Sequence, residues 1–174
     1  MALIVFLHGA SSSGKSTLAA AIRATSNLPF LHLSIDHLRD SGAWKPDTYP
    51  DWSAARPAFF AGFHRALAAF ADAGNDLIAE HILDTPGWHG ELQELFQSHD
   101  VLFVGLHTDL KVLNLRENAR GDRRKGSAEQ DYDRVHKGLS YDLTLDGGAP
   151  VDENAVRVLD ALSMPRGRSR FFAS

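Results

Sequence analysis

Cysteine is absent from this chain of 174 residues. That excludes a disulfide framework, thiolate metal sites and a cysteine nucleophile, and it fits a reducing cytosol, so a cytoplasmic protein is expected. Excess charge of either sign is also missing. The formal net charge is −4, which gives no general reason to expect a nucleic-acid partner. No apolar run approaches the length of a membrane span, so no membrane association is expected. The apolar opening, Ala2 to Leu7, has no basic stretch before it and runs straight into a glycine-rich loop, so it reads as a buried strand and not as a leader. The nine histidines show no metal-ligand spacing, and no zinc site is expected. Internal repeats are lacking too, and the length favours one domain over residues 1–174.

What is present is an alternation of short apolar runs with longer helical patterns. Strands are predicted at 3–8, 31–35, 77–82, 101–107 and 141–145. Helices are predicted at 15–26, 54–73, 87–97, 109–119, 128–138 and 152–162. On the first helix Leu18, Ala21, Ile22 and Thr25 share a face. On the long helix Phe59, Phe63, Leu67 and Phe70 do, with Pro57 blurring where it begins. Residues 41–56 read as irregular, and the basic tail 166–170 as a solvated, frayed end. The alternation predicts an α/β fold with a parallel sheet covered on both faces, whose ligands bind beyond the carboxyl ends of the strands.

The strongest local signal is Gly9-Ala10-Ser11-Ser12-Ser13-Gly14-Lys15-Ser16, which fits G-x-x-x-x-G-K-[ST] at every fixed position. A strand precedes it and a helix follows. The glycines permit a tight turn that aims backbone N–H groups inward, and the helix offers its positive end to phosphate. Lys15 is expected to reach the β- and γ-phosphates, and the Ser16 hydroxyl to ligate Mg²⁺. Ala10, Ser11, Ser12, Ser13 and Thr17 complete the candidate nucleotide site, although small size alone would explain each of them. ATP and Mg²⁺ are the expected cofactors. No N-K-x-D guanine signature occurs, and no apolar strand ends in the Asp of a second Mg²⁺ motif, so a small-molecule kinase is favoured over a GTPase or motor.

Asp36 follows the second predicted strand, at the edge that carries the phosphate loop. A carboxylate there can take a hydroxyl proton, or simply cap a short helix. Glu80 and His81 end the third strand on the same edge and are candidate acceptor-binding groups. A basic cluster of Arg116, Arg120, Arg123, Arg124 and Lys125 lies within ten residues. It reads as a lid over about 119–128, with Arg120 and Arg123 chosen as the arginines that meet the transferring phosphoryl. The acceptor-side segment, about 37–57, carries Trp44, Tyr49 and Trp52, candidates for a pocket wall. Between 41 and 56 only Lys45 and Arg56 are basic, which favours an uncharged, partly apolar acceptor over an acidic metabolite.

These strings resemble the chloramphenicol phosphotransferase-like branch of P-loop kinases. The resemblance rests on Leu7 to Ser16, Ile35-Asp36, Val101 to Gly105, Arg116 to Arg123, Val135 to Gly138 and Tyr141-Asp142. It implies a three-layer P-loop kinase sandwich whose five-stranded parallel sheet has the order 2-3-1-4-5. It also implies ATP as donor and an antibiotic hydroxyl as acceptor, with Asp36 at the position of the base and Arg120 and Arg123 near the phosphates. The third strand departs from the family in ending Glu80-His81, where an Asp is usual.

Two other readings stay open. One is a metabolite kinase of the gluconate, shikimate or nucleotide kind. The other is a P-loop toxin or regulatory module acting on a macromolecule. Homo-oligomerisation is open as well.

Overall fold

The protein is described by a computed structural model covering residues 1–120, 126–132 and 134–173, with Arg120, Ser127 and Ala128 given by backbone only. Its strands are β1 (Leu3–His8), β2 (Leu31–Ser34), β3 (Leu77–Glu80), β4 (Asp100–His107) and β5 (Leu143–Asp146). They pair in parallel in the order β2-β3-β1-β4-β5. The helices are α1 (Lys15–Thr25), α2 (Ile35–Asp40), α3 (Trp52–Asp72), α4 (Trp88–Leu95), α5 (Leu110–Arg120), α6 (Ser127–Tyr132) and α7 (Val151–Ser163).

Strand alternation sorts β1 into the two faces of the sheet. Ile4 and Phe6 join Phe63, Leu67, Leu92, Phe96 and Phe103 on the face covered by α3 and α4. Val5 and Leu7 join Leu18, Ile22, Val104, Ala155 and Val158 on the face covered by α1 and α7. Both sides of the central strands are therefore apolar, as a sheet layered by helices requires.

Several boundaries differ from those read in the sequence. The second strand stops at Ser34, because Ser34 caps α2 by accepting the backbone N–H of His37 at 3.3 Å. Asp36 thus sits in the first turn of a helix rather than at a strand end. The long helix begins at Trp52, inside the stretch expected to be irregular. Asp51 caps it by accepting from Ala54 N at 3.1 Å, so that Pro57 is absorbed within its early turns. Its buried face runs through Phe60, Phe63, His64 and Leu67, and Phe70 is turned outward at 43% exposure. On α1, Ala19 is buried in place of Ala21 and Thr25. The third strand is four residues long, the fifth starts at Leu143, and the predicted helix 128–138 resolves into the short α6 and a series of turns.

The tail is no frayed end. A 3₁₀ turn at Arg170–Phe172 seats Phe171, fully buried, against Phe6 at 5.0 Å and Phe103 at 5.1 Å. Arg166 pairs with Asp100 at 2.6 Å. Burying one phenylalanine contributes on the order of 2 kcal/mol, enough to hold a short segment down.

Candidate active site

The loop from Gly9 to Gly14 leaves β1 and enters α1 with Gly14 at φ 104°, a left-handed conformation that a side chain would strain. Ser12 also has positive φ, at 65°. The buried hydroxyls of Ser12 and Ser13 have no hydrogen-bond partner among the described residues. Orphaned donors at the positive end of a helix suit an oxyanion. Lys15 is buried, and its Nζ donates to the carbonyls of Gly9 and Ala10 at 2.9 Å each.

Behind the loop, Ser16 Oγ donates to Glu80 Oε1 at 2.8 Å, and His32 Nε2 donates to Glu80 Oε2 at 3.1 Å. Burial pushes the Glu80 carboxyl up. The His32 hydrogen bond, the Lys15 charge and the Ser16 hydroxyl outweigh that and hold it below its ordinary value. Glu80 is therefore both close to the phosphate loop and paired with a basic side chain.

A cavity of about 160 Å³ opens between Lys15 and the ends of β2 and β3. Asp36, Glu80, His81 and Asp84 supply its polar lining, and Phe60 and Trp88 its aromatic wall. Asp36 pairs with Arg39 one helical turn on, at 2.9 Å. Arg56 lies over the rings of Phe60 and Trp88, at 4.8 and 4.6 Å, and its Nη2 donates to both carboxylate oxygens of Asp84, at 2.9 and 3.1 Å. Trp44, Tyr49 and Trp52 do not line this cavity. They pack with Phe59 into an aromatic cluster, Trp44 stacked on Phe59 at 4.5 Å. Sequence reading missed Phe60 and Trp88, since nothing local separates a pocket aromatic from a core one.

On the other side of the loop lies a second cavity, of about 500 Å³, lined by Thr17, Leu18, Leu106, Arg116, Ala149 and Asn154 among others. Arg116 ties the loop to it, donating to the carbonyls of Ser13 at 3.0 Å and Gly147 at 2.9 Å. Of the basic cluster, it is Arg116 that the structure places at the loop. Arg123 and half of the predicted lid, residues 121–125, lie outside the described residues, and the Arg120 side chain does as well. Asp131, on α6, accepts from Ser11 N at 2.9 Å, and burial pushes its carboxyl above the ordinary value. No sequence pattern singled it out, because that contact spans 120 residues.

The sequence profile described as "Chloramphenicol phosphotransferase-like protein" matches residues 2–163. The chain belongs to the chloramphenicol phosphotransferase-like family. A protein of Mycobacterium tuberculosis (strain CDC 1551), provisionally named an O-phosphotransferase, is 27% identical over 87% of this chain and 78% of its own length. Among solved structures the fold is similar to that of the M. tuberculosis APS kinase CysC bound to AMPPNP and APS, with TM-score 0.71, 20% identity and coverage of 94% and 98% of the two chains. It is also similar to the Deinococcus radiodurans tunicamycin resistance protein, with TM-score 0.68, 16% identity and coverage of 95% and 98%. The protein is a P-loop kinase that transfers a phosphoryl group to a hydroxyl.

Three of the strings singled out in the sequence, around His8, His136 and Tyr141, meet in space. Tyr141 Oη lies 3.1 Å from His8 Nδ1 and 2.7 Å from His136 Nδ1. Burial first, then His107 and Lys15, pushes His136 down to about 4, and His8 is also held well below its ordinary value, by burial first. The Tyr141 ring crosses β4 at Gly105, where an added Cβ would fall 2.5 Å from a ring carbon. Only glycine leaves that space. Gly105→Ala is expected to destabilise the fold by about 1–3 kcal/mol, the usual cost of overpacking. Urea unfolding checks it, and an unchanged midpoint would mean that the ring has room to move.

Proposed function

We propose that the protein transfers the γ-phosphoryl group of ATP to a hydroxyl of a neutral, partly apolar small molecule, an antibiotic of the chloramphenicol kind, and so inactivates it. The observation that carries this reading is the charge of the cavity beside Lys15. Its lining offers three carboxylates, Asp36, Glu80 and Asp84, and one cation, Lys15, while Arg39 and Arg56 stand outside the lining and are taken up by Asp36 and Asp84. A carboxylated, sulfated or phosphorylated metabolite would meet these carboxylates with only Lys15, the lysine of the phosphate loop, to answer its charge. A hydroxylated, uncharged molecule could set its apolar part on Phe60 and Trp88 and its hydroxyl near Asp36.

In this reading one domain spans residues 1–174 and works in the cytoplasm, where ATP is at hand. The phosphates lie on Gly9 to Thr17, and the base and ribose take the cavity bordered by Thr17, Leu106 and Arg116. The Ser16 hydroxyl donates a hydrogen bond to Glu80, which leaves its oxygen lone pairs for a hard cation, so the site fits Mg²⁺. That ion, when bound, neutralises phosphate charge. Lys15 leaves the loop carbonyls for the β- and γ-phosphates. Arg120 and Arg123, in a lid over about 119–128, stabilise the transferring group. Asp36 accepts the proton of the attacking hydroxyl.

An acceptor screen tests the proposal. Purified protein, ATP and Mg²⁺ are incubated with chloramphenicol, other hydroxylated antibiotics, gluconate and shikimate, and products are read by mass spectrometry. A phosphorylated neutral drug is expected, with the product lost on adding EDTA. A phosphorylated acid metabolite would overturn the acceptor class, and no product from any of them would point to a macromolecular target.

A further inference from the structure

Behind the acceptor cavity stands a row of three polar side chains that the reaction above leaves without a role. Glu91 Oε2, on α4, lies 3.0 Å from His64 Nδ1, on α3, and His64 Nε2 lies 3.0 Å from His81 Nε2, just past β3. The His64 side chain is wholly buried, whereas Glu91 keeps 32% of its side chain exposed. His81 is stacked on Trp88 at 5.1 Å and on Phe60 at 5.6 Å, and with them it lines the cavity.

The row has a direction. A carboxylate only accepts, so His64 Nδ1 must carry a hydrogen. A neutral imidazole has a single N–H, which leaves a lone pair on His64 Nε2. Two ring nitrogens 3.0 Å apart need one hydrogen between them, and it must then come from His81 Nε2. In a neutral His81 this leaves Nδ1 as a lone pair, and Nδ1 makes no hydrogen bond among the described residues.

The surroundings keep both rings uncharged. Burial first, then the repulsion that a protonated His64 would add and the charges of Lys15 and Arg56, holds His81 well below its ordinary value. Burial also lowers His64, helped by Arg65 and opposed by Glu91. The carboxylates of Asp36, Glu80 and Asp84 share the cavity with His81.

We propose that His81 determines acceptor specificity: its Nδ1, fixed as a lone pair by Glu91 and His64, accepts a hydrogen bond from a hydroxyl of the molecule in the cavity. This rests on reading the cavity as the acceptor site. A molecule whose hydroxyl is capped as an ether would cover that lone pair, shut it off from water and leave it unmatched, which is how a polar pocket rejects an analogue lacking the donor.

Nitrogen-15 NMR of the histidine side chains in the ligand-free protein reads the tautomers directly. His81 is expected with its hydrogen on Nε2. Glu91→Leu, at a part-exposed position, should turn that single tautomer into a mixture, and His64→Phe should do the same. Benzyl alcohol, used as probe, is expected to shift the His81 Nδ1 resonance, while benzyl methyl ether leaves it in place. A hydrogen on His81 Nδ1, a tautomer unchanged in both variants, an equal response to the two probes, or no response to the alcohol would overturn the proposal. None of these measurements needs ATP or turnover, so their failure is distinct from failure of the acceptor screen.

Discussion

Lys15→Ala is expected to cut phosphoryl transfer by about 10³-fold or more, because the lysine supplies positive charge where it develops on the transferring group. Lys15 also has a structural share. Its ammonium holds the carbonyls of Gly9 and Ala10 at 2.9 Å, and removing one partner of a buried hydrogen bond costs about 1–3 kcal/mol. The variant should therefore melt a few degrees lower while staying folded. Single-turnover assays at saturating acceptor, run beside thermal unfolding, separate the two effects. Transfer retained within tenfold of wild type would mean that another cation serves the phosphates.

Asp36→Asn is expected to lower turnover by about 10²–10⁴-fold, the usual range for losing a general base, with ATP affinity near wild type. The substitution keeps the shape of the side chain but removes its ability to take a proton. Asp36 pairs with Arg39 at 2.9 Å with both side chains partly exposed, and such a pair contributes at most about 1 kcal/mol to stability. Melting should hardly move, so lost activity cannot be put down to unfolding. Unchanged turnover in Asp36→Asn would sink the base assignment.

The layered parallel sheet could be expected from the sequence, because it follows from local patterns. Apolar runs separated by helical periodicity dictate strands covered on both faces, and the order came with the family resemblance. Helix starts were harder. Asp51 and Ser34 act as caps only because the chain around them adopts the right dihedrals, and Pro57 gave a competing local signal that tertiary packing of Phe60, Phe63 and Leu67 overrode. Tail residues looked solvated because three arginines surround Ser169 and Gly167, yet Phe171 finds a place among Phe6, Phe96 and Phe103.

By itself, then, the sequence determined the phosphate loop and its setting, since residues 9–16 are contiguous and glycine, lysine and serine at that spacing leave few other uses. It also placed Asp36 and Glu80 at one edge, because strands of a parallel sheet end together. Only the tertiary structure decided which side chains face the cavity beside Lys15. Phe60 and Trp88 line it while Trp44 and Trp52 pack elsewhere. His64 meets both His81 and Glu91 across 17 and 27 residues of chain, and Asp131 reaches Ser11 across 120. Contacts of that kind depend on how helices settle against the sheet, a balance of packing over the whole core that no local spacing of residues encodes.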